Sequence, residues 1–166
     1  MVSSIAAGEP QREAPSRCAP QLFLSPGVSK GHLLREMDNV KAHGEWISRE
    51  IHFSQFSLDW TVDGIIEKVS RILEFADSGY CGMSESVLWR WRTCEGHGDM
   101  QPHCNRFSSM YALAIDHGEA MRYLEEFVIE TLQSEFGDKI VNSKRYRPGP
   151  IKFGRVYFLY LCVWYM

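Results

Sequence analysis

The sequence has little that would announce a partner. Its charge is nearly balanced, 18 Lys and Arg against 21 Asp and Glu for a formal net charge of −3. No global field draws in nucleic acid, and any such partner must be held by a local basic patch. Long hydrophobic runs are absent. The longest apolar stretch, Val156 to Met166, is too short to span a bilayer, and residues 1–20 carry no apolar secretory core. A soluble chain without a membrane partner is expected. Cysteine is sparse and odd in number, at Cys18, Cys81, Cys94, Cys104 and Cys162. That argues against a fully paired disulfide framework and suits a reduced intracellular compartment, cytoplasmic or nuclear. No internal repeat is visible. What is present is 45% hydrophobic and 13% aromatic content over 166 residues, enough for one core and little more.

Residues 1–50 read as an extension to a domain at 51–166. The first 30 residues mix Gly, Pro, Ser, Gln and Glu and predict disorder or weak docking. From Gly31 to about Ile51 an irregular apolar pattern predicts a peripheral helix interrupted at His43-Gly44. Asp63 is a candidate N-cap for a helix from Gly64 to about Ala76, whose Ile65, Ile66, Val69, Ile72 and Leu73 share one face. Asp77-Ser78-Gly79 reads as a turn, Tyr80 to Met83 as a strand, and Ser84 as the cap of a short helix with Glu85 in its first turn. A Gly-, His-, Cys- and Pro-rich loop runs from Thr93 to Arg106. Phe107 to Ile115 has strand character, Asp116-His117-Gly118 ends it, and a helix from Glu119 to Phe136 stops at a Gly137 C-cap. Val156 to Trp164 is the strongest strand. This order predicts an α/β (α+β) domain: strands near 79–83, 107–115 and 156–163 in one small mixed sheet covered by helices near 64–76 and 119–136.

Glu125 can be argued as a site from its helix alone. With Ala120 as origin and about 100° per residue, Leu124, Val128, Leu132 and Phe136 sweep from about 40° to about 160°, and Glu125 falls inside that arc near 140°. Arg122, Glu126, Glu130 and Gln133 lie opposite, as a solvated face. A carboxylate in an apolar arc must be paired, hydrogen-bonded or bound to a cation. Glu125 is therefore either a metal ligand or the partner of Arg90 or Lys139. Lys144, Arg145, Arg147, Lys152 and Arg155 form a basic ribbon interleaved with Tyr146, Phe153 and Tyr157. Such a ribbon can track a phosphate backbone or be a plain solvated loop. Cys94, His97, His103 and Cys104 offer soft ligands for zinc, in a spacing that adjacent ligands seldom satisfy on one ion.

Tyr80-Cys81-Gly82, then Arg90 eight residues past the glycine, then Glu125 in a helical stretch and Asn142 after it, resembles the GIY-YIG nuclease family. The resemblance covers residues 77–145. It implies that the tyrosine motif ends a strand, that the arginine sits on the next helix and that the helix glutamate holds a divalent metal. The family's first tyrosine motif is missing from its usual place, which the helix at 64–76 occupies. Gly154 to Tyr160 contains Gly-x-x-Tyr, so a permuted arrangement would let Tyr157 or Tyr160 complete the site. The resemblance implies a metal-dependent endonuclease hydrolysing DNA phosphodiesters: Glu125 binding Mg2+, Arg90 the phosphate, Tyr80 the attacking water, and Asn142 holding the site together. The alternatives are an inactive nuclease-like binding module and a zinc-binding interaction domain built on the loop at 94–104.

Overall fold

The computed structural model describes residues 50–92, 102–142 and 150–166, with Leu34, Arg35 and Asp38 as isolated helical positions. Most of the expected extension thus lies outside the described residues. The elements are β1 (Ile51–His52), α1 (Val62–Phe75), β2 (Ser78–Ser84), α2 (Val87–Arg92), a 3-10 turn at His103–Asn105, β3 (Ser109–His117), α3 (Gly118–Phe136), a 3-10 turn at Gly137–Lys139, and β4 (Val156–Trp164). They form a small mixed α+β domain around one four-stranded sheet in the order β1-β3-β4-β2. β4 is central and antiparallel to both β3 and β2. The two-residue β1 runs parallel to β3, so Ile51 is strand and not the end of a helix.

The pleat of the sheet sends alternate side chains to two cores. On one face Cys81, Leu113, Leu159 and Leu161 pack under α1 and α3. α1 contributes Val62, Ile65, Val69 and Leu73 from one stripe, and α3 contributes Met121, Leu124, Val128, Ile129 and Leu132. On the other face Met110, Ala112, Phe158, Tyr160 and Cys162 pack under Val87 and Trp91 of α2 and under Phe107. Trp91 closes this second layer by donating its indole N–H to Glu50 at 2.8 Å. A bulge between Ala112 and Ala114 adds Leu113 to β3. Both Leu113 and Ala114 therefore reach the α1/α3 core, and the displaced Leu113 carbonyl accepts Ser57 N–H at 3.0 Å.

Four local expectations are corrected. The cap of α1 is Thr61, in extended backbone with its hydroxyl accepting Gly64 N–H at 3.1 Å, which leaves Asp63 in the first turn to complement the helix dipole. Ser78 and Gly79 belong to β2 because Ile140 bridges to Gly79, and Asp77 N–H donates to Trp164 O at 2.9 Å. α2 is capped by Ser86, whose hydroxyl accepts Trp89 N–H at 3.2 Å, while Ser84 bonds Ser86 and shapes the turn before it. β3 lies two residues later than expected, since Asp116 and His117 pair with Tyr157 and Val156 before α3 begins. Gly137, at φ +56°, ends α3 as expected. No helix among the described residues is long and apolar enough to cross a membrane.

Candidate functional site

Tyr80 of β2 and Tyr160 of β4 point to the same face, because Gly82 pairs with Tyr160 and Tyr80 lies two residues before Gly82. Glycine is required between them. A Cβ at residue 82 would lie 2.5 Å from the Tyr160 hydroxyl and 3.0 Å from the Tyr80 ring. Arg90 reaches over this gap from α2 and donates Nε–H to the Tyr160 oxygen at 3.2 Å; its guanidinium also meets the Tyr80 hydroxyl. The 3-10 turn brings in a fourth group, His103, whose Nε2 lies 3.1 Å from the Tyr160 oxygen. The imidazole is buried and packs on Tyr80 with ring centroids 5.2 Å apart and on Phe107 at 5.7 Å.

The electrostatics follow from this packing. Burial pushes the Tyr160 hydroxyl well above the usual tyrosine range, Tyr80 and Cys162 add to that, and Arg90 only partly offsets it. Burial also raises Tyr80; Arg90 opposes and Glu125 reinforces the rise. Both phenols are therefore protonated near neutral pH, as hydrogen-bonding groups and not as phenolates. Burial alone would lower Arg90, but the oxygens of Tyr160 and Tyr80 outweigh it and hold the guanidinium charged. Because Arg90 can only donate, Tyr160 accepts from it and has its own proton to give to His103 Nε2. Where it does so Nε2 is the bare nitrogen of the ring, whereas a ring protonated on Nε2 donates to the phenol oxygen instead.

Asn142 completes the edge of β2 as a substitute strand residue: its Oδ1 accepts Cys81 N–H at 2.9 Å and its Nδ2 donates to Cys81 O at 2.7 Å. It thereby fixes the residue between Tyr80 and Gly82, and Gln133 holds it in turn by donating to its carbonyl at 3.0 Å.

The other residues singled out in the sequence lie elsewhere. Glu125 is buried in the apolar stripe of α3, as its helical position requires, but α3 covers the opposite face of the sheet from Arg90. Lys139 is engaged elsewhere, donating to Leu73 O at 2.6 Å. Tyr157 also faces α3. Its hydroxyl accepts Lys152 N–H at 3.0 Å and donates to Glu85 at 3.3 Å, and Lys152 Nζ pairs with the same carboxylate at 3.1 Å. Tyr160 is thus the C-terminal tyrosine that joins Tyr80. Lys152 and Arg155 are exposed at the end of the sheet where β4 begins, Lys152 beside Glu85 and Arg155 with its carbonyl accepting Gly118 N–H at 3.3 Å. Lys144, Arg145 and Arg147 lie outside the described residues, as do Cys94 and His97. His103 and the exposed Cys104 do not converge, since the histidine turns inward to Tyr160 and the thiol meets Asn105 at 3.7 Å. Among the described residues no group of three or more His, Cys, Asp or Glu gathers as for a metal. His103 has only its place among Cys and His residues to draw attention to it in the sequence; its tie to Tyr160 spans 57 positions.

No protein family, no curated protein and no solved structure matches this chain.

Proposed function

We propose that this chain binds the phosphodiester backbone of DNA as a nuclease-like binding module, with Arg90 as its central phosphate contact. The observation that carries the reading is the positioning of one half-buried guanidinium by two tyrosine hydroxyls. With Nε given to Tyr160 and the Tyr80 hydroxyl also met, the guanidinium keeps further N–H donors, and its planar fork suits two non-bridging phosphate oxygens. Trp89, 41% exposed, precedes Arg90 on the same short helix and offers a surface for a base to stack on. Lys152 and Arg155 stand at the end of the sheet from which that helix departs, and extend the positive track.

Hydrolysis is a second reading, favoured by His103. An imidazole joined through Tyr160 to the phosphate-binding arginine is suited to hold or pass a proton beside a bound phosphodiester. The Mg2+ role implied for Glu125 takes no part in this reading: the carboxylate belongs to α3, which packs on the other face of the sheet, its charge reaches Tyr80, and no catalytic step is derived through it.

The test is anisotropy of fluorescent single-stranded and duplex DNA at two salt concentrations, together with a cleavage assay. Under the binding reading, Arg90→Ala weakens binding about tenfold or more. Lys152→Gln with Arg155→Gln lowers the salt slope by about one unit for each phosphate that is no longer neutralised. If the chain cleaves, and Arg90→Ala leaves binding nearly intact while cleavage falls by about two orders of magnitude, hydrolysis replaces the binding reading. Undetectable binding at low salt defeats both.

A further inference from the structure

A cavity of about 370 Å3 opens at the opposite edge of the sheet, on the face covered by α1. One wall is a stripe of α1, Lys68, Arg71, Ile72 and Phe75, at the spacing that aligns side chains along a helix. The other wall is aromatic. His52 of β1 and Tyr111 of β3 are register partners whose rings stack at 4.7 Å and 27°, and the Tyr111 hydroxyl meets that of Tyr165 at 3.1 Å. Two phenols sharing one hydrogen bond use one of their two protons, so one O–H remains to donate into the cavity.

The charges have a definite sign. Among the described residues the lining carries Lys68 and Arg71 and no carboxylate. Lys68 gives one N–H to Gln55 O at 2.9 Å, which pins the ammonium at the wall with two donors left over. Arg71 pairs with Glu67 outside the cavity in an exposed contact that contributes little and yields readily to a better anion. Burial holds His52 below the usual histidine range, so its ring is neutral near pH 7 and adds stacking surface without a third charge. Phe75 is 80% exposed at the mouth. An aromatic ring left in water there does little for the fold, and a ring-bearing ligand would cover it.

The geometry points to a small-molecule site, separate from the Arg90 cluster, that takes a planar aromatic ring carrying one anionic group, of about mononucleotide size. The ring lies against His52, Tyr111 and Phe75. The anion meets Lys68 and Arg71, and the spare phenolic proton reads a polar atom of the ligand.

AMP and 2-naphthoate, titrated into the full chain and followed by amide chemical shifts and tyrosine fluorescence, test this. Saturable shifts confined to residues 52–55, 68–75, 111 and 165 are expected with at least one probe. Binding of AMP alone marks a nucleotide site and binding of naphthoate alone marks an aromatic carboxylate site. Adenosine, or unsubstituted naphthalene for the second case, should bind at least tenfold more weakly than the anionic probe. Lys68→Met with Arg71→Gln should cost at least tenfold at unchanged melting temperature, and the exposed Phe75→Ser, which cannot disturb the core, several-fold. Arg90→Ala should change nothing here, so failure of this site and failure of DNA binding are told apart. Shifts elsewhere, no saturation by either probe in the millimolar range, or full affinity in both variants overturns the assignment.

Discussion

Tyr160 concentrates more of the site than any other residue. Its oxygen serves Arg90 and His103 at once, and its ring lies over Gly82, where no Cβ would fit. Tyr160→Phe keeps the ring but leaves two buried or half-buried nitrogens without this partner, so a loss of about 1–3 kcal/mol is expected in urea unfolding. Gly82→Ala drives a methyl into the same hydroxyl and should cost a similar ~1–3 kcal/mol by overpacking. Because both changes act on one contact, the double variant should lose clearly less than the two single losses combined. Strict additivity would show that Gly82 and Tyr160 do not share a strain. The choice between Tyr157 and Tyr160 illustrates what a sequence withholds at this scale. Residues three apart on a strand face opposite ways, so one of them had to join Tyr80, but which one depends on the register of β4 against β2. His103 is hidden for the same reason, since the bond that defines its role is tertiary.

At the scale of elements, strongly periodic segments are legible in the sequence. β4 spans the expected Val156–Trp164, α3 begins one residue before expectation and stops at the glycine named for it, and the three long strands share one sheet. Boundaries move where side-chain oxygens compete for the same cap, as at Thr61 against Asp63 and Ser86 against Ser84. The two-residue β1 is unreadable because two residues hold no period; it exists through its parallel pairing with β3. Asn142 is the element-scale device that protects the β2 edge. Both of its amide groups bond one residue of β2 within a buried setting. Asn142→Ala should cost about 2–3 kcal/mol by orphaning a backbone N–H and C=O together. It should also speed amide exchange at Cys81 more than at core residues of β3. Unchanged protection at Cys81 would mean that the edge is held by the Gly79–Ile140 bridge alone.

At the scale of the whole molecule, the sheet is a partition. Each helix buries one apolar stripe, but the face it takes is decided by connections and not by the stripe, so the helical wheel of α3 could place Glu125 inward without revealing that inward means away from Arg90. The sheet thus puts the helices that carry the two principal charged candidates on separate faces, while the charge of Glu125 contributes to raising Tyr80 and Cys81 after burial has done so. The partition makes a prediction about independence. Glu125→Gln keeps shape and removes charge; it should leave DNA affinity at the Arg90 cluster within about twofold, because the interaction of a charge with a solvent-facing phosphate across a sheet is screened beyond roughly 8–10 Å. Combined with Arg90→Ala, its effect on binding should be additive within about 0.5 kcal/mol, as for sites without shared partners. A Glu125→Gln variant that abolishes Mg2+-dependent cleavage, with coupling to Arg90 well above that margin, would instead make the two faces parts of one nuclease site and overturn the binding-module reading.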